Sequence, residues 1–455
     1  MKPLPEKFEM AIRAQLGNDF RAFEASLQDP SPVSIRVHPL KNRRPARQQP
    51  VPWSQFGEYL DSRPRFTLDP HFHAGSYYVQ EASSMFLEQA FLQQVDHKQP
   101  LNVLDLCAAP GGKSTHLLSL LNRESLLVSN EAIRARAAIL SENIQKWGYP
   151  NAIVTNNDPG DFKRLKGFFD VMVVDAPCSG EGLFRKDPEA MDEWSPENVQ
   201  LCASRQKRIL ADAWDALKKN GILIYSTCTY NESEDEANLQ WLKDHHNVEF
   251  LDITTDPAWG VTTVKRNGLV AYRFFPHRAK GEGFFIAVIK KNESTEPLLI
   301  KNKTSLAAPS KKIQEKLDDW ITPDRPVRYF QFQDLLFYTP ESKSREVEFL
   351  LQHLKIMYAG TNLARQKHEK LIPEHALSLS VELNRNNFPV APVSQEDALK
   401  YLRKDVIQLE GRTPGFTLLT YNDMPIGWVN VLPNRVNNMY PSEWRIRMTD
   451  HPRES

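Results

Sequence analysis

The chain has 455 residues, 41% hydrophobic and 25% charged, enough apolar material for two or three globular domains with large cores. Its 57 Lys and Arg balance 57 Asp and Glu; this excludes a protein that coats polyanions through a global positive field and leaves local basic patches as the route to any nucleic acid. No run of 18 apolar residues and no signal-peptide core occurs, and the four cysteines form no C-x-x-C pair and no zinc spacing. The expectation is a cytoplasmic protein with reduced thiols, no metal and no membrane association.

Residues 1–76 read as helical and then mixed. They carry a basic stretch, Arg36, Lys41, Arg43, Arg44 and Arg47, among prolines, and a solvated loop is the ordinary reading of such a stretch. From 77 to 292 short apolar runs alternate with helical segments, the pattern of an α/β fold with a parallel sheet. Strands are predicted at 102–106, 126–130, 152–155, 170–175, 221–226 and 283–290. The last follows an apolar run at 248–253 without a long crossover helix, which favours an antiparallel closing pair. Residues 293–312 are polar and read as a linker. Beyond it, 313–380 are mixed, and 381–455 show short strands around 415–419 and 426–431.

The first strand of the sheet runs into Asp105-Leu106-Cys107-Ala108-Ala109-Pro110-Gly111-Gly112-Lys113-Ser114, a turn before a helix whose backbone N–H groups can cradle a ligand. A phosphate-binding G-x-x-x-x-G-K-[ST] loop would need glycine where Cys107 stands, so a P-loop-like NTPase is a distant alternative. A nucleoside fits better. Glu131, at the end of the second strand, lies close to the separation of about 20 residues at which an acid meets ribose hydroxyls in dinucleotide folds, although an ordinary helix N-terminal acid would occupy the same place. Asp158, after the third strand, could contact an adenine amino group.

Two thiols end two later strands: Cys178 in Asp175-Ala176-Pro177-Cys178-Ser179-Gly180, and Cys228 in Ser226-Thr227-Cys228-Thr229. Carboxyl ends of strands in open parallel sheets are where ligands bind. One cysteine there could be filler, as Cys202 is read to be. Two, with Asp175 alongside, point to thiol chemistry. His116 and His277 have no spacing that demands a Cys-His pair, and His277 reads as a loop-orienting residue.

These segments, together with Gln80–Met85 and Arg273-Phe274-Phe275-Pro276-His277…Gly281-Glu282-Gly283-Phe284-Phe285, resemble the NOL1/NOP2/Sun family of RNA cytosine-5 methyltransferases over roughly residues 30 to 290. The resemblance implies a Rossmann-like, S-adenosyl-L-methionine-dependent methyltransferase domain with a mostly parallel seven-stranded sheet over 77–292, preceded by an N-terminal α+β RNA-binding segment, 1–76. It also implies the roles. Cys228 is the nucleophile that adds to cytosine C6 and Cys178 helps to break down the adduct. Asp175 meets N3, and Lys113 stands near the methyl-transfer centre. Cys107, Ala108, Ala109, Pro110, Gly111, Gly112, Lys113, Glu131, Asp158 and Asp175 line the cofactor pocket. On residues alone the two thiol roles stay open, because DNA cytosine-5 enzymes attack from a Pro-Cys motif.

The target base must be flipped out or unpaired for C6 to be reached. Arg36, Lys41, Arg43, Arg44, Arg185, Lys186, Arg205, Lys207 and Arg208 are the phosphate-contact candidates. The tail, Gly427-Trp428…Leu432-Pro433-Asn434-Arg435…Trp444-Arg445-Ile446-Arg447, is similar to the C-terminal extension of bacterial RsmF-type enzymes. That similarity implies an intermediate domain at 313–380, a PUA-like RNA-binding domain at 381–455, and 16S rRNA or the 30S subunit as partner of a monomer. Trp428 could stack on a base or lie in the core. The alternatives are a tRNA cytosine-5 methyltransferase and, of another class, a non-catalytic RNA-binding protein.

Overall fold

The computed structural model describes residues 3–41, 49–187, 189–296, 306–409 and 413–448. Arg43, Arg44 and Arg47 lie outside them. A small antiparallel sheet of β1 (Val33–Val37), β2 (Gly57–Leu60) and β3 (Tyr77–Val79), in the order β2-β1-β3, follows two N-terminal helices, Glu6–Leu16 and Phe20–Ser26.

The main sheet contains β4 (Asn102–Asp105), β5 (Leu126–Asn130), β6 (Ala152–Thr155), β7 (Phe169–Asp175), β8 (Leu217–Thr227), β9 (Val248–Leu251), β10 (Thr262–Arg266), β11 (Leu269–Phe274) and β12 (Phe284–Lys291). The C-terminal region holds β13 (Val327–Phe332), β14 (Leu335–Pro340), β15 (Ile356–Ala359), β16 (Thr361–Lys367) and β17 (Lys370–Pro373), then β18 (Val390–Pro392), β19 (Gly415–Tyr421), β20 (Met424–Leu432) and β21 (Arg435–Asn438).

The main sheet runs β10-β11-β12-β8-β7-β4-β5-β6-β15, with β9 also beside β12. Its centre, β6, β5, β4, β7 and β8, is parallel. Every residue of β4, β5 and β6 is buried, as expected where helices cover both faces of a parallel sheet. Two apolar cores result, one on each side. β12 closes the parallel part antiparallel to β8 and pairs with β9 in the same sense. The seven expected strands are thus present, and three more join them: the hairpin β10–β11 and, from the C-terminal region, β15 on the far edge against β6. The chain builds β4, β5 and β6 in one direction, then crosses to β7 and β8 in the other. The crevice where that order reverses, at the carboxyl ends of β4 and β7, is where such folds bind ligands.

The C-terminal region is fastened to the sheet rather than tethered beside it. From the helix Ser344–His353, Val347, Phe349 and Leu350 enter the same core as Leu104, Val128 and Met172, with Phe349 stacked on Phe168 at 5.8 Å. Two four-stranded sheets follow, β13-β14-β16-β17 and β18-β19-β20-β21. Trp428 belongs to their core: it is fully buried, its indole N–H donates to Glu374 O at 2.9 Å, and it packs on Phe388. Base stacking is closed to it. Among the described residues no helix is long and apolar enough to cross a membrane.

Candidate functional site

Five strand ends converge on one crevice. After β4 the loop is pinned from both sides, Leu106 N–H to Val173 O at 2.9 Å and Ala108 N–H to Asn130 O at 2.8 Å. Gly111 then turns with φ +115° into the helix Gly112–Leu120. A side chain there would be strained and would press on Leu140 and Asn143. The turn leaves a backbone cradle at a helix N-terminus.

Asp105 lies beneath it, fully buried. Its Oδ2 accepts from Ser114 Oγ at 2.7 Å, while Oδ1 has no protein partner. Burial pushes this carboxyl up to about 7, and the negative charges of Asp175 and Glu131 add to the effect. Desolvation likewise pushes the Cys107 thiol up. Glu131 accepts from Ile133 N–H at 2.9 Å and pairs with Arg136 at 3.5 Å, and that guanidinium also donates to Ala109 O. Asp158 stands at the rim, more than half exposed. It caps its own turn by accepting from Gly160 N–H and lies 3.3 Å from Arg208; the Gly160 bond, with Arg208 behind it, holds the carboxyl below its usual range. An orphaned buried carboxyl oxygen, a glycine cradle, the buried Glu131 and the rim Asp158 form a set of polar groups that fits a nucleoside with a charged amino-acid tail.

The two thiols, 50 residues apart in sequence, meet: Cys178 Sγ lies 2.9 Å from Cys228 Sγ, and Cys228 N–H donates to Cys178 Sγ at 3.3 Å. The hydrogen bond with Cys228, burial and the nearby charges of Cys228 and Glu234 push the Cys178 thiol well above its ordinary value. Beside them Asp175 accepts from Ser226 Oγ at 2.8 Å and binds Lys113 Nζ at 2.7 Å. Lys113 also lies over the Phe284 ring at 5.2 Å. Lysine, aspartate and two cysteines from three separate segments are therefore gathered at the ends of β4, β7 and β8.

Two carboxylates that the sequence reading passed over hold the thiol loops together. Buried Glu181 accepts from Thr229 Oγ1, Tyr230 N–H, Asn231 Nδ2 and Trp194 Nε1, all within 3.2 Å. Glu234 accepts from Ser179 N–H at 3.0 Å and Gln206 Nε2 at 2.8 Å. The available signal was placement for Glu181, three residues after Cys178 in a segment otherwise small or apolar, whereas Glu234 is hidden in the acidic run Glu232–Glu236. The N-terminal helices buttress the same loops. Phe8, Ile12, Phe20 and Phe23 pack with Phe184, Met191, Tyr230 and Phe275, and Phe23 meets Tyr230 edge-on at 5.3 Å.

Three of the phosphate-contact candidates are structural instead. Arg36 is buried, bonds Gln80 Oε1 and Thr115 Oγ1 and lies over Trp147, and burial lowers its pKa to about 9. Lys41 is buried and caps a helix end by donating to Lys146 O at 2.6 Å, its pKa lowered by burial to about 7. Arg185 is buried in an ion pair with Glu282 at 3.0 Å and donates to Gly281 O. Charge marked all three as surface residues, whereas unpaired carbonyls and a buried glutamate claimed them. Lys186, Arg205 and Arg208 are exposed and Lys207 half-buried. Cys202 is buried in the helix Pro196–Ala213.

With this geometry in place, the chain matches known proteins along its length. The family described as 16S rRNA methyltransferase RsmB/F matches residues 90–290. The N-terminal domain of 16S rRNA methyltransferase RsmF matches 4–82, and the methyltransferase RsmF PUA domain matches 388–446. Ribosomal RNA small subunit methyltransferase F of Escherichia coli O6:H1 is 30% identical over 96% of both chains, and the protein of that name from Shigella boydii serotype 18 is equally so. Among solved structures, a methyltransferase homolog from Pyrococcus horikoshii is 26% identical with a TM-score of 0.51, covering 63% of this chain and all of its own. NSun6 of Pyrococcus horikoshii shares the fold at 19% identity and a TM-score of 0.53, covering 64% of this chain and 99% of its own.

Proposed function

Because the chain belongs to the RsmF family of 16S rRNA methyltransferases, we propose that it methylates carbon 5 of a cytosine in small-subunit ribosomal RNA through a covalent Cys228 adduct. The observation that carries the reading is the thiol pair at 2.9 Å beside the Lys113–Asp175 ion pair. Cytosine C5 is a poor nucleophile until a soft, reversible nucleophile adds at C6. Cys228, as thiolate, forms the S–C6 bond. Asp175 presents a proton to N3, where negative charge develops on addition, and Lys113 holds that carboxyl in place. The 107–113 loop, Glu131, Asp158 and Asp175 would hold S-adenosylmethionine, which when bound would supply a sulfonium methyl group for C5. The C5 proton then passes to water, its electron pair forms the C5–C6 double bond as the S–C6 bond breaks, the N3 proton returns to Asp175, and Cys228 departs as the thiolate. Cys178, which keeps its own proton and touches Cys228, assists that release.

The test is a pair of substitutions assayed with 16S rRNA and labelled cofactor. Cys228→Ala should abolish 5-methylcytosine formation. Cys178→Ala should trap a protein–RNA adduct that survives a denaturing gel. Full activity in Cys228→Ala would refute the nucleophile assignment, and an adduct trapped only in Cys228→Ala would reverse the two roles.

A further inference from the structure

The strand ends that carry the proposed cofactor contacts are laced together by two buried asparagines. Asn130, closing β5, donates its amide to Leu106 O at 3.1 Å and Asn157 O at 3.0 Å; its Oδ1 accepts from Thr155 Oγ1 and Asn157 N–H. Asn156 donates to the carbonyls of Glu131 at 2.8 Å and Ala132 at 2.9 Å. The first, second and third strand ends are thereby one hydrogen-bonded unit.

The C-terminal region completes that unit. β15 lies antiparallel on β6, with Ile356 opposite Thr155, and the pairing runs one step past the strand, where Asn156 N–H donates to Lys355 O at 2.9 Å. Lys355 N–H donates to Asn157 Oδ1 at 3.0 Å, and Lys355 Nζ to Asn156 Oδ1 at 3.1 Å. A residue 198 positions downstream of Asn157 thus grips both residues immediately before Asp158. The grip is rigid because the helix Ser344–His353 that leads into β15 is packed in the core of the main sheet.

We infer that Lys355 is a positioning residue for the cofactor, holding the Asn156–Asp158 loop so that Asp158 faces the adenine. The inference rests on the assignment of Asp158 to the nucleoside under the proposed function. A loop at the open edge of a sheet would otherwise have to be ordered on each binding event, at a cost in conformational entropy; β15 and Lys355 meet that cost during folding.

The experiment measures S-adenosylmethionine affinity by calorimetry on the full chain, with thermal midpoints alongside. Lys355→Met and Asn157→Ala should weaken binding by roughly tenfold, with the cofactor KM rising more than kcat falls, and Lys355→Arg should restore most of the affinity. Asp158→Ala, as the benchmark, should weaken binding at least as much. Loss of affinity in Asp158→Ala alone overturns the positioning role and leaves the adenine contact standing. Unchanged affinity in all three variants overturns both. Loss confined to Lys355→Met and Asn157→Ala upholds the clip and moves the adenine contact to another residue of the loop.

Discussion

Their surroundings shift Asp105 and Cys178 both toward the protonated form, with consequences that can be measured separately. The Asp105 carboxyl is raised from 3.8 to about 7, chiefly by burial. Between those values the unfolded chain has lost this proton while the folded chain keeps it, so stability contributed by the protonated group falls as pH rises through the window. Asp105→Asn removes the charge and keeps an acceptor for Ser114. Relative to the parent, the variant should gain on the order of 2 kcal/mol at pH 8 and nothing near pH 4, read as thermal midpoints at the two pH values. Equal destabilisation at both would show that the buried charge is not the cause. Cys178, shifted upward, should resist iodoacetamide at pH 7.5 in the folded protein and react once unfolded, because the thiolate is the reactive form. Peptide mass spectrometry would settle it, and labelling at the rate of an ordinary exposed cysteine would contradict the shift.

At the scale of elements, the thiol loops meet because a small residue lets them. Gly182 N–H donates to Cys228 O, and a Cβ built on Gly182 would lie 2.5 Å from Gly283 O and 2.8 Å from Cys228 O. Both are backbone atoms, so Gly182→Ala must push the start of β12 or the end of β8 away from the Pro-Cys loop. About 1–3 kcal/mol of stability should be lost, and methylation should fall further than stability accounts for at a temperature where the variant remains folded. Unchanged kcat in a folded variant would mean that the spacing of the thiols is set elsewhere.

The same elements show what was readable in advance. β4 to β8 are legible because strands buried on both faces read as near-continuous apolar runs. The convergence of Cys178 and Cys228 was legible because each closes such a run. The hairpin β10–β11 was passed over although Asn267-Gly268, both at positive φ, is a strong two-residue turn signal; its flanking strand Thr262–Arg266 is too exposed and polar to stand out. β15 is four residues long and meaningful only beside β6, a pairing that no local pattern encodes. Arg36 and Arg185 were misread for a related reason, since a guanidinium's partner across the fold is invisible in its own neighbourhood.

For the whole molecule, zero net charge means that RNA must be held by a few placed cations, and burial decides which ones count. Arg205 is exposed on the helix that follows the Cys178 loop, whereas Arg185 is enclosed with Glu282. Each phosphate neutralised on a single strand contributes about 0.7 to the slope of log affinity against log salt. If Arg205 contacts a phosphate, Arg205→Gln should lower the steepness by about that amount in anisotropy titrations between about 50 and 200 mM salt, with no change in thermal midpoint. Arg185→Gln should leave the slope alone and instead lose about 3–5 kcal/mol of stability, because it strands a buried carboxylate. An unchanged slope with Arg205→Gln would place the RNA path away from the helix Pro196–Ala213, and a shallower slope with Arg185→Gln would show that Arg185 meets a phosphate despite its ion pair. The two residues are matched in charge and opposed in burial, so the comparison separates charge that binds RNA from charge that holds the fold.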